Sequence, residues 1–185
     1  MDKFVTFASW LMLCYSILGS IDALYIHLWK LRLFAHPETR REHILHTSAI
    51  LPIMISGFLL LGANFGGILL WIGAGFSLTA LTIQVIDMVE EGESRRIFGG
   101  LGSSEYILHA VLVGLKFTYT TLIFISKPSE AWNINAPIIL AAPYPEFVTE
   151  MAINSLVGPV LVFVLHIVLL HPRFLNRIDT RTGVS

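Results

Sequence analysis

Charge is what this sequence is short of. Lys, Arg, Asp and Glu together make up 14% of its 185 residues, whereas 55% are apolar; soluble chains carry roughly 25% charged residues. That deficit argues against a water-solvated domain and describes a chain dissolved in lipid. Cysteine is nearly absent too. Cys14 stands alone inside an apolar segment, so a chain has neither an internal disulfide nor a thiolate-ligated metal site available to it. It reads as a small packing residue and says nothing of redox compartment. No low-complexity tract, phosphate-cradling glycine loop or basic nucleic-acid motif is present, so no nucleic-acid partner is expected.

What remains is apolar sequence in five blocks, each near the roughly 20 residues needed to cross a bilayer. They cover residues 4–29, 44–61, 68–89, 106–126 and 147–170. The first could pass for a signal peptide. Against that, Asp2 and Lys3 leave its start without net positive charge, the apolar run is too long, and Asp22 interrupts the plausible cleavage region. It is read as a retained span. The expected fold is all-α and polytopic, a single domain over 1–185, with helices 1–4 as an up-down bundle and helix 5 packed alongside. Gly62–Gly67 reads as a tight turn and 92–104 as a polar loop. The segment 127–146 holds four of the eight prolines and the apolar patch Ile138–Ala142, and reads as an interfacial or re-entrant loop.

Five spans assign every connector to a side. Lys30, Arg32, Arg40, Arg41, Arg95, Arg96, Arg173, Arg177 and Arg181 fall on one side, and only Lys3 and Lys127 on the other. The positive-inside rule then puts the C-terminus in the cytoplasm and the N-terminus outside, in a plasma or inner membrane.

On that topology all seven histidines lie toward the cytoplasmic side, together with most of the acids. The densest stretch is His36-Pro-Glu-Thr-Arg-Arg-Glu-His-Ile-Leu-His46. Within it Glu42 and His46 are four apart and share a helix face. The spacing recurs as Glu105-x-x-x-His109 at the start of the fourth span, and a carboxylate stands near the end of the first (Asp22) and third (Asp87) spans. This faint repeat nominates Asp22, Glu42, His46, Asp87, Glu105 and His109 as metal ligands, with His27, His43 and His166 as weaker candidates. Ionisable groups at such depth are costly and face a bundle interior or a watery cavity. Bland readings compete. Thr39-x-x-Glu42 is also a capping box, Glu105 can complement a helix dipole, Glu90 and Glu91 read as a solvated helix end, and His27, His36 and His171 as interfacial. Lys116, mid-membrane, would pair with Asp22 or Asp87 in the dull account.

Carboxylates from two helices with a Glu/His pair from each of two others look similar to the di-iron and di-manganese carboxylate bundles. The likeness covers about six residues, and those bundles space Glu and His three apart rather than four, so it carries chemistry and assigns no family. The paired-histidine boxes of membrane desaturases are absent. The resemblance implies a di-iron or di-manganese site and a metal-dependent membrane oxidoreductase acting on a lipid, quinone or other apolar substrate. Two other functions fit the same residues: a b-type haem electron carrier using paired histidines, and a non-enzymatic ion or metal permease or accessory subunit, alone or as a homo-oligomer or complex partner in the bilayer.

Overall fold

The computed structural model describes residues 2–141 and 143–175. The chain is all-α, and among the described residues five helical stretches are long and apolar enough to cross a membrane: Lys3–Lys30, Pro37–Gly62, Gly67–Phe98, Ser103–Ser126 and Glu146–Leu169. α1 (Asp2–Ile21) runs on as a π-helix over Asp22–Lys30, α2 (Arg40–Gly57) ends in another over Phe58–Gly62, and α3 spans Gly67–Ser94. α4 covers Ser103–Ser126, and α5 (Glu146–Ser155) and α6 (Val157–Leu169) together make the fifth span, followed by the short α7 (Pro172–Leu175).

Sidedness of the side chains is inverted relative to a soluble protein. Trp29, Leu78, Phe117 and Leu161 are each more than 60% exposed, while Asp22, His27, Glu42, Arg95 and Lys116 are at 2% or less. An apolar outside around a polar inside is the arrangement that lipid, not water, stabilises.

The most extensive packing is α2 on α3 and α1 on α4. The fifth span sits between the first two, with α5 against α1 and the end of α2, and α6 against α2 and α1. The Ser16 hydroxyl donates to the Ser155 carbonyl across that seam at 2.5 Å. Gly73 permits a close approach of α3 to the π-helical end of the second span, since a Cβ there would lie 3.0 Å from Leu59 Cβ.

One connector departs from the sequence reading. α3 does not stop before the polar stretch but continues to Ser94 and then as a 3-10 turn over Arg95–Phe98; Glu91 and Arg95, which look like solvated residues, have buried partners in His109, Glu42 and Glu105. On the opposite end, the 127–146 segment is pinned to the 63–67 turn. Gly66 N–H donates to Ile138 O, Leu140 N–H to Asn64 O, and Phe65 bridges Ile139. Lys127, 6% exposed, donates to Asn64 Oδ1 at 2.8 Å and Phe65 O at 2.9 Å and lies over the Tyr144 ring. Burial pushes its ammonium down to about 8. Ile139 is 74% exposed; Ala142 of the same patch lies outside the described residues, as do Arg177 and Arg181.

Candidate metal centre

The centre is built from pairs, one on each of the first four spans. Glu42 and His46 on α2, Asp87 and Glu91 on α3, and Glu105 and His109 on α4 are each four apart, one helical turn, so each pair presents to one side. The first span is different. Asp22 and His27 are five apart, which in an α-helix would turn them about 140° from each other. The π-helix over Asp22–Lys30, closed by bonds such as Leu31 N–H to Ile26 O at 2.9 Å, has the i to i+5 repeat that brings them onto one face. His27 is consequently fully buried. Its interfacial reading, suggested by nearby Trp29 and Lys30, is wrong: His27 turns inward where Trp29 is 75% exposed.

Three imidazoles converge on the Asp22 carboxylate. His109 Nε2 lies 3.1 Å and His46 Nε2 3.4 Å from Oδ2, and His27 Nε2 lies 3.7 Å from Oδ1. In His46 and His109 the far nitrogen has a carboxylate close behind it. His46 Nδ1–H donates to Asp87 Oδ2 at 2.5 Å, and His109 Nδ1 lies 2.7 Å from Glu91 Oε1. A carboxylate behind the outer nitrogen fixes tautomer and ring direction in metal-ligating histidines. One ligand atom from each of Asp22, His27, His46 and His109 falls within 4.8 Å of the others, and a second group, His27, Glu42 and Glu91, does the same beside it. Ligand atoms at about 2.1 Å from a common ion are at most about 4.2 Å apart, so a small contraction completes a shell.

Arg95 organises the remainder. Its guanidinium, 1% exposed, donates to Glu42 Oε2 at 2.5 Å and to Glu105 Oε1 at 2.8 Å through Nε, with a further short bond from Nη2 to Glu105. The Ser94 hydroxyl also donates to Glu42 Oε2. That leaves Glu42 Oε1 buried without a hydrogen-bond partner, and Asp22 Oδ1 and Asp87 Oδ1 share that condition. Unpartnered buried carboxylate oxygens are costly, and a cation is what would satisfy them. The centre holds five buried carboxylates (Asp22, Glu42, Asp87, Glu91, Glu105) and one buried guanidinium, an excess of four negative charges when all are ionised and the histidines are neutral.

Several expectations change on this geometry. Thr39 Oγ1 donates to Leu33 O and His36 O rather than capping α2, and Glu42 belongs to the buried centre, so the capping-box reading falls. Glu105 answers Arg95 rather than a helix dipole. Glu91 is not a solvated helix end: it is 2% exposed behind His109. Only Glu90, paired with exposed Arg41 at 3.2 Å, keeps that character. His43 and His166 stand apart from both ligand groups, stacked on each other with ring centroids 4.8 Å apart. Lys116 pairs with neither aspartate; it donates to Gln84 Oε1 at 2.9 Å. Sequence reasoning missed Arg95, counted as a cytoplasmic charge, and Glu91, although Asp87-x-x-x-Glu91 repeats the spacing of the other pairs.

Bordering the centre is a cavity of about 100 Å³ whose walls include Asp22, His46, Asp87 and His109 together with Tyr15, Gln84, Leu112 and Val162. The fold and centre define a five-span membrane protein with a buried carboxylate/histidine cluster able to hold a metal ion. Comparison with protein-family models, curated proteins and solved structures gives no match.

Proposed function

We propose that this chain is a membrane metalloprotein whose centre holds two divalent ions, iron or manganese, and acts as an oxidoreductase on an apolar substrate reached from the bilayer. The observation that carries the reading is the convergence of Asp22, His27, His46 and His109 ligand atoms within 4.8 Å, in a fully helical membrane interior. Imidazole mixed with carboxylate favours iron or manganese over softer or purely oxygen-seeking ions. Two divalent ions would cancel the excess of four negative charges, one in the Asp22 group and one beside Glu42 and Glu91. Asp87, Glu91 and Arg95 then orient the histidines and Glu42 from behind. Bound there, the metal would supply one-electron chemistry in a site from which helices α1 to α4 exclude water.

A haem reading is less well supported. The cavity beside the histidines is about 100 Å³, far below the roughly 300–1,000 Å³ of sites for larger ligands, and haem needs no carboxylate cluster. The N-terminus is assigned outside and the C-terminus to the cytoplasm on Lys30, Arg32, Arg40, Arg41, Arg96 and Arg173. The centre then lies toward the cytoplasmic leaflet.

Metal analysis and the visible spectrum of the protein, purified in detergent from iron- and manganese-replete cells, test the proposal. About two ions per chain without a Soret band is the expected result. A Soret band overturns it in favour of a cytochrome, and absence of both leaves a permease or accessory subunit.

A further inference from the structure

A second polar tier lies deeper in the bundle than the metal centre, and its hydrogen bonds run in one direction. Lys116, 2% exposed, has no carboxylate partner among the described residues and donates to Gln84 Oε1 at 2.9 Å. An ammonium has donors only, so it fixes the Gln84 amide with its oxygen toward Lys116 and its nitrogen away. Gln84 Nε2 then donates to Tyr15 Oη at 2.9 Å. With its oxygen accepting from Gln84, the Tyr15 hydroxyl hydrogen is left to donate elsewhere. Tyr15 and Gln84 line the same cavity as Asp22, Asp87 and His109.

We infer that the Tyr15 hydroxyl is the hydrogen-bond donor that receives the oxygen-bearing end of an apolar substrate, an uncharged carbonyl, in the cavity bordering the metal centre. Tyr15 is thus a substrate-binding residue, and Lys116 a positioning residue acting through Gln84. The inference rests on the proposed function and names the substrate class for it. Three features select that chemistry. The cavity is about 100 Å³, room for the end of a chain and not for a large ring system. Its walls carry Ala49, Ile50, Ile53, Leu112, Val113 and Val162, which suit a hydrocarbon. With the ions matched by the centre's own carboxylates, no net positive charge borders the cavity to hold a carboxylate or phosphate, leaving a neutral acceptor as the partner for Tyr15.

The probe is octanal, with octane as the matched ligand lacking the acceptor, both titrated into the metal-loaded full-length chain in one detergent and read by thermal stabilisation. Tyr15→Phe is expected to weaken octanal about tenfold, to leave octane unchanged and to keep its metal. Lys116→Met frees the Gln84 amide to turn and accept the Tyr15 proton, so it weakens octanal likewise although Lys116 itself does not line the cavity. Tyr119→Phe, edge-on to the Tyr15 ring but outside the cavity, binds as the wild type does. Wild-type octanal affinity in Tyr15→Phe, or equal losses for octanal and octane, overturns the inference while the metal reading stands. Should Tyr15→Phe lose its metal, Lys116→Met decides, and unchanged octanal affinity there overturns it. A wild-type chain that takes up no metal brings down the proposed function first, and this inference with it.

Discussion

Removing Arg95 is the most demanding test of how the centre is held together. Its guanidinium is 1% exposed and makes charge-assisted bonds to both Glu42 and Glu105, so Arg95→Met leaves two buried carboxylates facing each other without a counter-charge. Breaking a buried ion pair by removing one partner costs about 3–5 kcal/mol. For a chain of this size about 2–4 °C of melting temperature accompanies each kcal/mol, so the metal-free variant should melt about 6–20 °C below the wild type. Two controls separate charge from packing. The triple variant Arg95→Met, Glu42→Gln, Glu105→Gln should recover most of the loss, because it removes the stranded charges along with their partner. Saturating Mn²⁺ should also recover part of it in the single variant, by about 2.7 kcal/mol at a hundred times the dissociation constant. The assay is tryptophan-monitored thermal unfolding in detergent with and without chelator. A single variant within about 2 °C of wild type, or a triple variant no better than the single one, refutes the account.

Other expectations follow from individual contacts. Asp22→Ala should empty the centre, whereas Asp87→Asn, which acts through His46 Nδ1, should hold metal about 10- to 100-fold more weakly; chelator competition distinguishes them, and equal losses would erase the distinction. Gly67 has φ +58 and a Cβ there would lie 2.5 Å from Ala136 O, while at Gly75 nothing lies within 4 Å. Gly67→Ala should therefore cost more than about 1 kcal/mol and Gly75→Ala should be neutral or stabilising, as read by unfolding. Burial lowers the Lys127 ammonium to about 8 from 10.5. Between those values the unfolded chain binds more protons, so stability should rise with pH from about 8 toward 10. Above 10 Tyr144, whose hydroxyl burial pushes up, contributes with the opposite sign. Lys127→Met should flatten the rise, and an unchanged slope in that variant would refute its origin.

Span number is legible in the sequence because lipid imposes a crude rule, long apolar runs broken by charge, and Phe4, Ile44, Ile68, Tyr106 and Phe147 obey it at their respective starts. The α2 and α4 pairs are legible for a similar reason, since a four-residue spacing in an apolar segment survives any packing arrangement. Glu91 and Arg95 are hidden by their neighbours. Flanked by Glu90, Glu93 and Arg96, they look like a solvated helix end, and only the continuation of α3 to Ser94 turns them inward. Lys116 is hidden differently: its partner is the neutral Gln84, so no search for opposite charges finds it.

His27 is the clearest failure of spacing rules, and it yields a prediction of its own. In α-helical phase, Asp22 directed at the centre would send His27 about 140° away, toward lipid, where ionisable side chains are disfavoured by about 2.5–3.5 kcal/mol on insertion scales. The π-helix over Asp22–Lys30 is then explained by what it brings together, as such irregular turns at functional sites often are. Deleting Tyr25, which is 59% exposed, shortens the Asp22–His27 spacing to four. The segment can then run as an ordinary α-helix with both side chains still facing the centre, and metal should be retained. Deleting Ile21 instead leaves the five-residue spacing intact but rotates both ligands about 100° against the rest of α1, so metal should be lost. If both deletions lose metal equally, the π-helix is a packing accident of the first span rather than a consequence of the centre it serves.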